Sequence, residues 1–235
     1  MHSYYSGVFL IFLSAFGFGV MPILALYAYK DGLNVPTLLF LRFFLGAVCL
    51  FGYVLLRKIG WRVTLRQAAC LFLMGGILYT IQSTFYFSAV RYIPASLAVL
   101  ILYLYPVLVA ILAAVVDKEK LSGKILAPTG VALLGLAIVL GAPVDNLDMF
   151  GVALAFGAAL IYSVYIILGR RVVAQVHPLV TTAFIAAFAA VSFLIYGSAD
   201  GSLIFNLSSH AWILIFGVAF FSTILAMGTF FAGLH

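Results

Sequence analysis

The sequence predicts an all-α polytopic membrane protein made of inverted five-helix repeats. Its 235 residues are 66% hydrophobic and 8% charged, with a mean hydropathy of +1.28. A soluble domain carries about 25% charged residues and could not keep so much apolar surface from water. The apolar runs are continuous and about 20 residues long, which suits membrane-spanning helices, whereas a transmembrane β-barrel has short alternating segments. A repeated segment, described below, indicates the inverted arrangement.

Eight apolar segments joined by short connections mark the candidate spans. They cover residues 6–27, 36–56, 68–90, 96–116, 125–142, 150–169, 178–197 and 210–232. Prolines lie at or near the ends of several spans, where a missing N–H costs least. These prolines are Pro36, Pro94, Pro143 and Pro178.

The basic residues are concentrated in alternate connections. Nine Lys and Arg residues follow spans two, four and six, and only Lys30 and Arg91 lie in the other loops. Cytoplasmic loops carry the excess of Lys and Arg, so the N-terminus is expected in the cytoplasm. The net charge of +6 belongs to these short loops and does not indicate nucleic-acid binding. We therefore expect a multi-pass protein of the cytoplasmic membrane, surrounded by lipid and without a nucleic-acid partner.

A segment near the N-terminus returns in the second half of the chain. Residues 7–24 and 151–168 share eight of eighteen positions at a constant offset of 144 (151 − 7). Chance would give about two matches in so apolar a chain, so the match indicates a repeat. Five crossings separate the two copies, and an odd number inverts the second copy, as in many secondary transporters.

Further pairs extend the repeat beyond its first span. Val35-Pro36 corresponds to His177-Pro178, and Gly75 to Gly217, both at an offset of 142 (177 − 35 and 217 − 75). The first repeat is thus expected to cover residues 1–142 with five spans, and the second residues 148–235 with three. By symmetry two helices are missing. We expect a fragment of a ten-helix protein; the alternative is a partner chain, such as a second copy in a homodimer, that completes the bundle.

Several motifs in order and spacing resemble one known family. They are Leu41-Arg42-Phe43-Phe44, Ala89-Val90-Arg91-Tyr92-Ile93, Tyr105-Pro106, Glu119-Lys120-Leu121-Ser122 before Gly130 and Gly135, and residues 230–235 (FFAGLH). Together they resemble the drug/metabolite transporter superfamily, EamA type. The resemblance implies a ten-helix carrier of small metabolites that works by alternating access, here truncated after the eighth helix. Lys118 departs from the family, which usually has Gly before the Glu.

The third span carries the first candidate site. Tyr79, Gln82 and Tyr86 share one face at i, i+3 and i+7 spacing. An amide is costly in lipid, so Gln82 is expected to face protein or a watery cavity. The face is either part of a substrate site or a helix–helix hydrogen bond, and we expect the former.

Arg42 is the one basic residue well inside a span, about six residues or ~9 Å from the outer end of the second helix. Intramembrane charges tend to face the bundle interior. Arg42 is thus a candidate to contact a substrate carboxylate or to anchor neighbouring helices. The alternative is that its guanidinium snorkels to the outer interface.

The remaining candidates are tyrosines, serines and a proline on other spans. Tyr103 and Tyr105 precede Pro106, which frees a backbone carbonyl and can kink the helix. Tyr103 and Tyr105 are expected on different faces, so at most one of them lines a cavity. With Tyr162, Ser14 and the face formed by Ser222, Ala226 and Thr229, they predict a mildly polar, aromatic-rich cavity. Such a cavity suits amino acids or other amphipathic or aromatic compounds, and we expect efflux.

Absent features restrict the alternatives. No Asp or Glu lies deep in a span, no P-loop lysine motif occurs, and the four histidines lie at loops or ends. The sequence therefore predicts no metal, no cofactor and no enzyme. A non-transporting accessory or assembly subunit is the second hypothesis. An intramembrane enzyme comes third, because it needs a polar catalytic pair that the spans lack.

Overall fold

The computed structural model describes residues 2–116, 148–173 and 175–234, together with six single positions between 127 and 138. Every regular element in that part of the chain is a helix. Seven stretches there are long and apolar enough to cross a membrane, which confirms the predicted all-α polytopic class. The predicted fifth span, 125–142, and the motif at residues 119–122 lie largely or wholly outside the described residues.

The helices are numbered in chain order, with two π-helical segments named separately. They are α1 (His2–Lys30), α2 (Val35–Leu56), α3 (Leu65–Phe72), π1 (Leu73–Tyr79), α4 (Thr80–Ala89), α5 (Ala95–Leu102), α6 (Tyr105–Val116), α7 (Met149–Val173), α8 (Pro178–Ala199), α9 (Ser209–Val218), π2 (Ala219–Met227) and α10 (Gly228–Leu234). Three predicted spans are thus composite: the third is α3–π1–α4, the fourth is α5–α6, and the last is α9–π2–α10.

The helices α2 and α8 begin in the same way. Asn34 Oδ1 accepts a hydrogen bond from the backbone N–H of Thr37 at 3.0 Å, and Pro36 lies in the first turn of α2. His177 Nδ1 accepts from the backbone N–H two residues later at 3.3 Å, and Pro178 is the first residue of α8. Proline fits a first helical turn because the N–H there has no intrahelical partner. Local sequence therefore sets both helix starts.

The described helices pack into two compact units. Unit 1 comprises Met1–Thr80 with Gly169–His235, and unit 2 comprises Ile81–Leu168. Unit 1 thus contains helices from both halves of the chain, α1 to π1 and α8 to α10. The predicted repeats, 1–142 and 148–235, have different boundaries from these packing units and stay a prediction.

An antiparallel pair, α2 and α8, forms the centre of unit 1. Phe43 stacks on Phe193 with ring centroids 5.8 Å apart, and Phe51 meets Phe184 edge-on at 5.2 Å. Because residue numbers fall along α8 as they rise along α2, the two helices run in opposite directions. Aromatic pairs of this kind contribute about 0.5–1.5 kcal/mol each beyond their buried area.

Unit 2 contains α4, α5, α6 and most of α7, and glycines allow its helices to approach closely. A Cβ built on Gly151 would lie 2.7 Å from Tyr92 Cβ, and one built on Gly157 would lie 2.8 Å from the ring of Phe85. Small residues at such contacts let helices pack by van der Waals contact, which replaces the hydrophobic effect inside a membrane.

Thr181 in α8 makes a stability prediction possible. Its side chain is fully buried, and Oγ1 has no hydrogen-bond partner among the described residues. An unsatisfied buried hydroxyl costs about 1–3 kcal/mol, and valine has the same shape without the hydroxyl. We expect Thr181→Val to raise the free energy of unfolding by roughly 1 kcal/mol, measured by thermal unfolding in detergent.

The neighbouring threonine is the matched control. Thr182 Oγ1 donates to the carbonyl oxygen of Pro178 at 2.9 Å, so Thr182→Val removes a bond that is made and should not stabilise the protein. A fall in stability for Thr181→Val would contradict the prediction.

Candidate functional site

Arg42 is buried in the centre of unit 1. Its side chain is 1% exposed. Its Nε donates to Thr223 Oγ1 at 3.2 Å, and its Nη2 donates to Tyr79 Oη at 3.3 Å. The guanidinium also lies over the ring of Phe43, 4.5 Å from the centroid. Hydroxyl dipoles and a ring face stabilise the buried cation. The burial argues against snorkelling and favours a role inside the bundle.

Tyr79 and Ser14 are the other predicted site residues of unit 1. Tyr79 is the last residue of π1; it is 4% exposed and meets Phe43 edge-on with centroids 5.5 Å apart. The structure therefore brings Tyr79 and Arg42 together. Ser14 is buried in α1 at 2% exposure.

Gln82 and Tyr86 belong to unit 2. Gln82 is 6% exposed, and its Oε1 accepts a hydrogen bond from Ser83 Oγ at 3.4 Å. Tyr86 is 2% exposed and meets Phe87 edge-on at 5.5 Å. The face predicted from residues 79, 82 and 86 is thus divided between the two units.

Four tyrosines form a continuous row in unit 2. The ring centroids of Tyr103 and Tyr105 are 6.1 Å apart, those of Tyr105 and Tyr162 are 5.0 Å apart, and those of Tyr162 and Tyr165 are 5.7 Å apart. The row connects α5–α6 to α7. It brings Tyr103 and Tyr162, both predicted site residues, into one cluster through Tyr105. We call these four residues the tyrosine row.

A break in the fourth span explains why Tyr103 and Tyr105 come together. The chain leaves the helix at Tyr103 and Leu104, just before Pro106, and becomes helical again in α6. The expectation that the two tyrosines lie on different faces assumed one unbroken helix, and it is wrong for that reason. Ser163 Oγ of α7 donates to the carbonyl oxygen of Ala159 at 2.7 Å and lies 3.3 Å from that of Tyr105, beside the break.

Thr223 is a polar partner of Arg42 that the sequence did not indicate. The predicted face on the last span was Ser222, Ala226 and Thr229, but Ser222 and Thr229 donate back to carbonyls of their own helix. Thr223 bonds to Arg42 instead. A π-helix has more residues per turn than the α-helix on which the prediction was based, so the predicted face did not include Thr223; that face stays a prediction.

The two clusters offer different chemistry. In unit 1 a cation is bonded to two hydroxyls, whereas the tyrosine row presents aromatic rings and hydroxyl groups without charge. The described residues contain no group of three or more His, Cys, Asp or Glu placed to hold a metal ion. Neither cluster pairs a nucleophile with a base.

Comparisons with known proteins agree with this architecture. The model of the EamA-like transporter family matches residues 5–141 and 149–235. The aromatic amino acid exporter YddG of Ancylobacter novellus is 33% identical over 178 residues, which are 73% of this chain and 61% of that protein. The chain thus spans less than two thirds of that relative. A solved crystal structure of a protein shares the fold with a TM-score of 0.70 at 23% identity, over 99% of this chain and 79% of the other.

Proposed function

The chain belongs to the EamA-like transporter family, and we propose that it exports amino acids or other amphipathic, aromatic metabolites by alternating access. The observation that carries the proposal is the tyrosine row, inside segments apolar enough to span a membrane. Tyrosine rings attract other rings in stacked or edge-on geometry, and their hydroxyls bind polar groups. Such a surface suits a molecule with both a ring and polar groups better than a bare inorganic ion.

The named relative supports the substrate class. It is an aromatic amino acid exporter, and its matched region covers most of this chain. An aromatic amino acid combines a flat ring with charged groups, which is the amphipathic chemistry expected from the sequence. We extend that substrate class to this chain as part of the proposal.

The proposed substrate contacts in unit 2 are Gln82, Tyr86, Tyr103 and Tyr162. The Gln82 amide would bind polar groups of the substrate, and the tyrosines would bind its ring. Pro106 would maintain the helix break at which the rings of Tyr103 and Tyr105 come close together. In unit 1, Ser14 stays a candidate contact. For Arg42 and Tyr79, their mutual hydrogen bond favours the helix-anchoring role over substrate contact.

We further propose that the protein lies in the cytoplasmic membrane with its N-terminus in the cytoplasm. The charge asymmetry of the loops supports this orientation. The antiparallel packing of α2 and α8 supports the inverted repeat, because equivalent helices of inverted repeats run in opposite directions.

Release from vesicles tests the proposed activity. The full chain is reconstituted with labelled phenylalanine, glycine or glutamate inside, and protease cleavage of the basic loop at residues 57–66 reports how the protein is oriented. We expect phenylalanine to leave severalfold faster than from protein-free vesicles, and faster than glycine or glutamate. Release equal to that from protein-free vesicles for every amino acid would overturn the proposal.

A variant of the tyrosine row tests the substrate class. Tyr162→Leu keeps an apolar side chain but removes the ring and the hydroxyl. We expect the KM for phenylalanine to rise roughly threefold to tenfold, the equivalent of losing one or two aromatic contacts. The control is Tyr196→Leu, a tyrosine of α8 that is 51% exposed. Equal KM values for the two variants would remove the tyrosine row from the site.

A further inference from the structure

The two π-helical segments occupy related places in the chain. π1 follows eight residues of α-helix in the third span, and π2 follows ten residues of α-helix in the last span. These are the third spans of the first and second predicted repeats. π-helical turns are rare and occur frequently at functional sites, where they bend a helix and shift its face.

Hydroxyl groups donate to two backbone carbonyls of π1. The carbonyl oxygen of Gly75 accepts from Thr80 Oγ1 at 2.9 Å, and that of Gly76 accepts from Ser192 Oγ of α8 at 2.8 Å. Irregular backbone inside a membrane needs such partners, because lipid supplies none. The irregular geometry of π1 is therefore supported by its surroundings.

Arg42 bonds to one residue in each π-helical segment. Tyr79 ends π1, and Thr223 lies in π2. One turn further along α2, Gly46 lies so close to Thr223 that a Cβ on Gly46 would collide with the Thr223 side chain. The guanidinium, the two hydroxyls and this close contact place α2, π1 and π2 in direct contact at one point of unit 1.

We infer that Arg42 is a positioning residue that couples π1 and π2, so that the two segments loosen and bend together. The inference rests on the proposed function in one respect: the coupled movement would accompany alternating access. The bonds require arginine because its separate Nε and Nη2 donors reach two partners at once. Lysine has a single ammonium and cannot reproduce this geometry.

Hydrogen exchange measured by mass spectrometry tests the coupling without any transport assay. Tyr79→Phe removes the bond at π1 alone. We expect amide exchange to become roughly tenfold to a hundredfold faster both in residues 73–79 and in residues 219–227, because losing one hydrogen bond to a charged group changes local opening by about that factor. Thr223→Val should likewise speed exchange in residues 73–79. In Arg42→Lys, amide exchange should be fast in both segments. Adding Tyr79→Phe or Thr223→Val to Arg42→Lys should not make it faster.

Ser192→Ala is the matched control. Ser192 Oγ donates to the Gly76 carbonyl oxygen of π1, so its removal should speed exchange in residues 73–79 only. If Tyr79→Phe also affects residues 73–79 alone, the two segments are not coupled and the inference is overturned. This outcome is independent of whether the protein transports the amino acids tested.

Transport kinetics separate positioning from substrate contact. For Tyr79→Phe and Thr223→Val we expect a lower maximal rate with an unchanged KM, and no further loss when the two are combined. A raised KM with an unchanged maximal rate would make Arg42 and its partners substrate contacts and would overturn the positioning role. If the wild-type protein does not transport the amino acids, the proposed function is contradicted. Hydrogen exchange then decides on its own whether Arg42 couples π1 and π2.

Discussion

Gly75→Ala is expected to lower the free energy of unfolding by about 2–3 kcal/mol, the upper part of the range for overpacking a close contact. A Cβ at Gly75 would collide with the carbonyl oxygen of Ile185 and lie 2.7 Å from its Cα. These are backbone atoms of α8, so no side chain can rotate away to make room. The helices must separate, and the bond from Ser192 to Gly76 would be strained as well.

The measurement is thermal unfolding of the purified protein in detergent, with Gly52→Ala as the control. Gly52 lies in α2, where a Cβ would meet no atom within 4 Å. Alanine favours a helix over glycine by up to ~1 kcal/mol, so the control should keep or raise stability. Equal melting temperatures for Gly75→Ala and wild type would show that π1 and α8 do not pack this closely.

Gln82→Ala is expected to reduce the rate of phenylalanine release roughly tenfold to a hundredfold at low substrate concentration. The reason is the loss of a hydrogen bond to a charged substrate group, which contributes about 1.5–3 kcal/mol when buried. The amide is 6% exposed, and its Oε1 accepts a hydrogen bond from Ser83 Oγ. Release of several labelled amino acids from vesicles provides the measurement.

Ile81→Ala is the control, since Ile81 is the preceding residue and is 39% exposed. If Gln82 only joins helices, Gln82→Ala should lower the melting temperature and leave KM unchanged in the protein that stays folded. Release unchanged for every substrate would remove Gln82 from the proposed site.

The membrane-spanning class could be predicted because it depends on composition and length. A helix must satisfy its own backbone bonds in lipid, so about 20 apolar residues in a row are sufficient evidence of a span. The starts of α2 and α8 could also be predicted from the sequence. The residues Asn34-Val35-Pro36 and His177-Pro178 influence only the first turn of the helix that follows them. All of these features depend on interactions within a helix or between a residue and lipid.

The break before Pro106 was foreseen only in part. The proline indicated a kink, but the local turn at Tyr103 and Leu104 also changed which tyrosines are neighbours. The contacts of Tyr105 and Tyr165 in the tyrosine row depend on how α7 packs against α5–α6. They could not be predicted from the sequence. A face assigned from regular periodicity fails wherever the helix is irregular.

The membrane spans could be predicted from the sequence, whereas the partners of Arg42 could not. Hydropathy acts between each residue and lipid, so the sequence alone determined that the chain is a bundle of membrane-spanning helices. The partners of Arg42 depended on two π-helical segments and on glycines that bring distant helices together. Tyr79 lies 37 residues away and Thr223 lies 181 residues away along the chain. Such contacts depend on the joint packing of several helices, which no local pattern encodes, and only the tertiary structure decided them.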